Sequence, residues 1–103
     1  MGEIARVPLA SIPEGGALRL PGGPDGICVV RIGEAVRAVA DRCSHADVRL
    51  SEGEVDPDEC TIECWKHGST FSLVDGHPLS LPATKPVTVY RITVDGPDVV
   101  VSD

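Results

Sequence analysis

A chain of 103 residues, 42% hydrophobic and 24% charged, has room for one core and the composition of a globular protein. Nine Lys+Arg against sixteen Asp+Glu leave a formal charge of −7, which repels phosphate backbones and anionic lipid, so neither nucleic acid nor a membrane surface is expected as a partner. No apolar stretch approaches the roughly 18 residues of a bilayer span, and Met1-Gly2-Glu3-Ile4-Ala5-Arg6-Val7-Pro8 has neither an export-signal pattern nor a twin-arginine pair, so a cytoplasmic protein is expected.

The aliphatic residues are mostly β-branched, with fourteen Val and six Ile against seven Leu, and such stiff side chains suit pleated sheet better than helix. In chain order the pattern predicts strands over 3–7, 17–20, 26–32 and 35–40, with turns at Gly22-Gly23-Pro24-Asp25-Gly26 and Gly33-Glu34. Ile27-Cys28-Val29-Val30 is apolar without interruption, as in a strand covered on both faces. Further strands follow over 59–63, 70–74, 87–94 and 98–102, with turns at Asp75-Gly76 and Asp95-Gly96-Pro97-Asp98. Near Tyr90 the apolar phase slips from odd to even positions, which a β-bulge or sharp bend would accommodate. No segment keeps a 3.6-residue period, so the expected fold is all-β, an antiparallel sandwich or partly open barrel in a single domain over 1–103. The irregular stretches 41–58, 64–69 and 75–86 are long for so small a domain, and such loops usually have a function.

Two of those loops carry chemistry. The first holds Cys43-Ser44-His45 and the second Cys64-Trp65-Lys66-His67, with eighteen residues between His45 and Cys64. Each loop offers one thiolate and one imidazole, and together they supply four ligands. A disulfide framework of the four cysteines belongs to oxidising compartments and is not expected in a cytoplasmic chain. The four donors could hold one tetrahedral zinc, or a [2Fe–2S] cluster with two thiolates on one iron and two imidazoles on the other. Zinc fingers group Cys with Cys and His with His, whereas here each loop mixes them.

Cys43-Ser44-His45 followed by Cys64-Trp65-Lys66-His67-Gly68-Ser69-Thr70-Phe71 resembles the Rieske pattern C-x-H…C-x-x-H-G-x-x-F. Asp75-Gly76 through Leu81-Pro82-Ala83 resembles the proline-containing third loop of that family, and Pro86-Val87 to Val101 its closing hairpin. Within the family the chain is similar to the stand-alone ferredoxins of bacterial ring-hydroxylating dioxygenase systems. Ile62-Glu63-Cys64-Trp65 and Leu81-Pro82-Ala83-Thr84-Lys85-Pro86-Val87 are similar to actinobacterial ferredoxins encoded near iron–sulfur assembly proteins. The resemblance implies a cluster-binding lobe, roughly 41–86, on a basal β domain. It also implies one [2Fe–2S] cluster per chain, held by Cys43 and Cys64 on the inner iron and by His45 and His67 on the outer one. The implied role is a monomeric one-electron carrier, with no catalytic residues of its own, between a ferredoxin reductase and a terminal non-heme iron oxygenase or other acceptor. A ferredoxin serving iron–sulfur assembly and a structural zinc module for protein interaction are the alternatives.

Departures from the family pattern carry information. Trp65 stands where many members have Pro, either covering the base of the cluster or serving in docking. Val48 and Lys66 occupy positions where the high-potential respiratory branch has a pair of disulfide-forming cysteines, and Phe71 replaces a Tyr that donates to a ligand sulfur there. Those losses imply a low potential. Cys28 and Cys60 are expected to be inert thiols on strands, and His77 an exposed turn residue without a partner. With only His77 left over, the chain has too few histidines for the second, mononuclear iron site of a complete Rieske oxygenase.

Overall fold

The computed structural model describes residues 2–44, 47–66, 68–81 and 83–103. Among the described residues nine strands form in two sheets. The larger is antiparallel throughout, in the order β1 (Glu3–Pro8), β9 (Asp98–Ser102), β8 (Val89–Asp95), β4 (Ala35–Ala40), β3 (Ile27–Ile32), β2 (Ala17–Leu20). It curls into a half-barrel, which decides the sandwich-or-barrel question in favour of the partly open barrel. The smaller sheet runs β5 (Val55–Asp56), β6 (Thr61–Glu63), β7 (Thr70–Ser72), and carries the loops of interest at its ends. Single 3-10 turns occupy Leu9–Ser11 and Leu50–Glu52.

The continuously apolar strand has two buried faces, as its sequence requires. Cys28 and Val30 of β3, with Val39 of β4, point into one hydrophobic cluster with Cys43, Leu50, Ile62, Cys64, Phe71, Leu73, Ala83 and Val87. The alternate residues Ile27 and Val29, with Ala38, point into a second cluster with Val7, Ile12, Val99 and Val101. This is the period-2 alternation of a strand serving as a wall between two cores.

Three expectations change. The strand expected over 59–63 starts only at Thr61, because Cys60 sits in a left-handed conformation (φ 56) at the end of a turn. Asp56 Oδ1 accepts from the N–H groups of Asp58 (3.1 Å) and Glu59 (3.2 Å), an Asx turn that draws the backbone away from extension. The phase slip near Tyr90 is present: Val87 is buried, Thr88 and Val89 are exposed, and Tyr90 and Ile92 turn inward. It occurs without a bulge, because β8 changes neighbour there, pairing with β4 through Val89 and Tyr90 and with β9 from Arg91 onward, each ladder in unbroken register. The short β5 was not foreseen.

Candidate functional site

Cys43 follows the end of β4, and its N–H donates to the Val48 carbonyl (3.0 Å), closing the first loop across its tip. Cys64 follows β6 in the same way. Its N–H donates to the Ser69 carbonyl (2.6 Å) while its own carbonyl accepts from Gly68 N–H (2.9 Å). That tight turn needs Gly68, whose φ of 77 is the left-handed region where a Cβ is strained. The two cysteines are 2% and 1% exposed and belong to one apolar cluster. The topology therefore brings together the two thiols that the sequence places in separate loops. His45 and His67 lie outside the described residues, as do Ala46 and Pro82 of the flanking segments. Among the described residues no group of three or more His, Cys, Asp or Glu side chains gathers as a metal site.

The third loop, 75–86, straps the first two together. Ser44 Oγ of the first loop donates to the Lys85 carbonyl (2.6 Å). On the second loop, Ser69 Oγ accepts from Ala83 N–H (3.0 Å), Ser80 Oγ accepts from Thr70 N–H (3.0 Å), and Leu79 N–H donates to the Thr70 carbonyl (2.7 Å). The base of the strap is held by Val87 N–H on the Gly76 carbonyl (2.9 Å). Gly76 is buried with φ 76, and a Cβ there would run into the Val87 carbonyl oxygen. Ser69 is fully buried and accepts from Ala83, and a hydroxyl that accepts can also donate one bond.

The remaining residues fall into place around the strap. Phe71 is wholly buried in the cysteine-containing cluster and brings no donor to it. Trp65 is 56% exposed, so it does not cover the base of the site; Leu79 (60%) and Leu81 (77%) are exposed on the third loop. His77 is exposed, and its backbone is engaged on both sides: N–H donates to Asp75 Oδ1 (2.9 Å) and the carbonyl accepts from Ser72 N–H (2.9 Å). That backbone donor, more than any other group, holds the Asp75 carboxyl below its usual range. Cys28 is fully buried and its thiol is pushed well up, by burial first and by the Asp41 charge second, which makes it inert at neutral pH. Sequence reasoning passed over Asp41, a buried carboxylate whose partners are remote in the chain.

The donor set fits an iron–sulfur group. Two water-excluded thiols supply soft ligands, the sequence adds one imidazole per loop, and the strap fixes the loops without a covalent link.

The Rieske [2Fe-2S] domain family matches residues 5–91 of the chain. The chain is 41% identical over 99 residues to the 3-phenylpropionate/cinnamic acid dioxygenase ferredoxin subunit of Escherichia coli strain K12, covering 96% of this chain and 92% of that one, with the same figures for the subunit of Shigella boydii serotype 4 strain Sb227. In structure it is similar to the ferredoxin of carbazole 1,9a-dioxygenase from Nocardioides aromaticivorans IC177, with a TM-score of 0.89 at 32% identity over 98% of this chain and 95% of that one.

Proposed function

The chain belongs to the Rieske [2Fe-2S] domain family, and from that premise we propose that it is a stand-alone one-electron carrier taking electrons from a ferredoxin reductase to a terminal ring-hydroxylating oxygenase. Its cofactor is a [2Fe–2S] cluster, and it acts as an electron-transfer component and not as the catalytic enzyme. Cys43 and Cys64 hold the thiolate side and His45 and His67 the imidazole side, in a single domain over 1–103 whose cluster-binding lobe is roughly 41–86. The observation that carries this reading is the burial of Cys43 and Cys64 in one apolar cluster at the ends of two strapped loops.

The cluster supplies one-electron chemistry; the chain's residues determine where that electron sits and how it leaves. Leu50, Ile62, Phe71 and Leu73 keep water from the thiolate side, since all four are fully buried. Low local dielectric strengthens the pull of thiolates on a metal and of backbone N–H groups on sulfur. Trp65 and Leu81 leave an apolar surface on the second and third loops that a partner can cover. The ferredoxin of the carbazole 1,9a-dioxygenase system has been seen in complex with its oxygenase, and an oxygenase is the acceptor proposed here.

Metal and sulfide analysis with spectroscopy tests the assignment. Two irons and two acid-labile sulfides per chain are expected, with the reduced-state paramagnetic signal of a mixed Cys/His centre, and His67→Ala is expected to abolish it because one iron loses half its protein ligation. A colourless protein with one zinc would replace this reading by a structural module. Reduction by an oxygenase-system reductase, followed by oxidation on adding the oxygenase, separates this role from service in iron–sulfur assembly.

A further inference from the structure

Among the described residues, Asp41 is the one charged residue in the core. It ends the first long hairpin, two residues before Cys43, and its side chain is inaccessible to water. Oδ1 accepts from Ser51 N–H (2.7 Å), while Oδ2 accepts from Ser51 Oγ (2.7 Å) and from Arg19 Nη1 (2.8 Å). Its own N–H donates to the Gly26 carbonyl (3.1 Å). Ser51 stands on the far side of the first ligand loop, in the 3-10 turn that seats Leu50 beside the two cysteines. One carboxylate thus pins the two stems of the loop that carries Cys43.

Closing the loop does not by itself call for a charge, since a neutral amide could accept the Ser51 N–H. The charge is withdrawn from water and stands two residues before Cys43 in the chain. It is felt at the Cys28 thiol, which shares the cluster of Cys43 and Cys64. Arg19 meets it from the solvent side, with its side chain 36% exposed, so the cation is screened by water more strongly than the anion and offsets it only in part. The anion is therefore the less screened member of the pair.

We propose that Asp41 is a positioning residue whose buried charge, balanced from outside by Arg19, biases the centre toward its oxidised state while its bonds to Ser51 hold the first ligand loop closed. This rests on the assignment of Cys43 and Cys64 as cluster ligands. Reduction adds one negative charge to the centre, and a fixed anion behind it opposes that step.

Voltammetry of the purified holoprotein tests the idea, with iron and sulfide content and melting temperature measured on every variant. Asp41→Asn keeps the side-chain size, removes one negative charge, and is expected to shift the midpoint upward. The double variant Asp41→Asn with Arg19→Gln restores a neutral pair and is expected to bring the midpoint back toward the wild-type value. Ser51→Ala keeps both charges and removes one loop bond; it should lower the melting temperature and leave the midpoint near wild type. An unchanged or lowered midpoint in Asp41→Asn, a double variant no closer to wild type than the single, or a Ser51→Ala shift as large as that of Asp41→Asn would each overturn the proposal. If Asp41→Asn does not fold, Arg19→Gln alone decides: a lower midpoint supports a buried negative charge that Arg19 offsets, and an unchanged or higher one refutes it. A wild-type protein without two irons and two sulfides defeats the ligand assignment instead, so the two failures are distinct.

Discussion

Phe71 shows how much one atom decides in a buried site. Its ring fills the cluster of Cys43 and Cys64 without offering a donor, where the high-potential branch of the family presents a hydroxyl. Without that bond, negative charge on the sulfurs is less stabilised and reduction is disfavoured, so a midpoint near the low end of the Rieske range, roughly −150 mV, is expected. Phe71→Tyr is expected to raise the midpoint measured by voltammetry, and a value in the wild type above about +100 mV would refute the low-potential assignment. Cys28 yields a separate expectation. Its folded-state pKa is raised, so the unfolded chain releases this proton at a lower pH than the native one. Stability from keeping the thiol neutral is full below the unfolded value and is lost as pH rises above it, at up to about 1.4 kcal/mol per pH unit for one proton. Denaturant titrations from pH 8 to 10 should show a steeper loss for wild type than for Cys28→Ala, even though the variant starts less stable from its lost core volume.

At the scale of elements, the strap matters more than any single strand. Gly76→Ala places a Cβ against the Val87 carbonyl from a left-handed backbone, and is expected to cost about 2 kcal/mol or more, visible as a fall in melting temperature of roughly 10 °C. Ser80→Ala removes a bond of about 1 kcal/mol to Thr70 N–H; the global fold should survive while the cluster is lost several-fold faster to a chelator, read from the decay of its visible absorption. The sequence revealed most of the strands because Val and Ile runs between glycines leave few alternatives, and it revealed the Cys/His spacing because coordination chemistry tolerates little variation. It did not reveal β5, two residues long, whose extension depends on pairing with Ile62 and Thr61 across the turn. Nor did it reveal the left-handed Cys60, since a cysteine carries no such signal and Asp56 imposes the turn from four residues away. Asp41 was hidden for the same reason: its partners stand 22 and 10 residues distant, and only the folded sheet joins them.

For the whole molecule, charge and shape act together. The formal −7 of the chain is unchanged by an oxidised cluster whose core of +2 is cancelled by two thiolates, and becomes about −8 on reduction. Encounter with a basic partner face should be steered by this charge, and the second-order rate with a reductase should fall as the Debye length shortens to about 8 Å near 0.15 M salt. Stopped-flow rates that stay constant over a tenfold range of ionic strength would point to docking through Trp65, Leu79 and Leu81 alone. The described residues include no helix long and apolar enough to cross a membrane.

The wall strand β3 has a consequence for cooperativity. Its even residues face the cysteine-bearing cluster and its odd residues the other, so neither side can open without stripping cover from a strand the other side needs. Openings that would admit a chelator to the thiolates from the β3 side are thereby coupled to the melting of the whole sheet, whereas an opening of the strap is not. Amide hydrogen exchange should place the slowest protons of the molecule on β3 and β4, at rates set by global unfolding. With the strap closed, the lifetime of the bound cluster in water would then follow the folding stability of a hairpin that contributes no ligand to it.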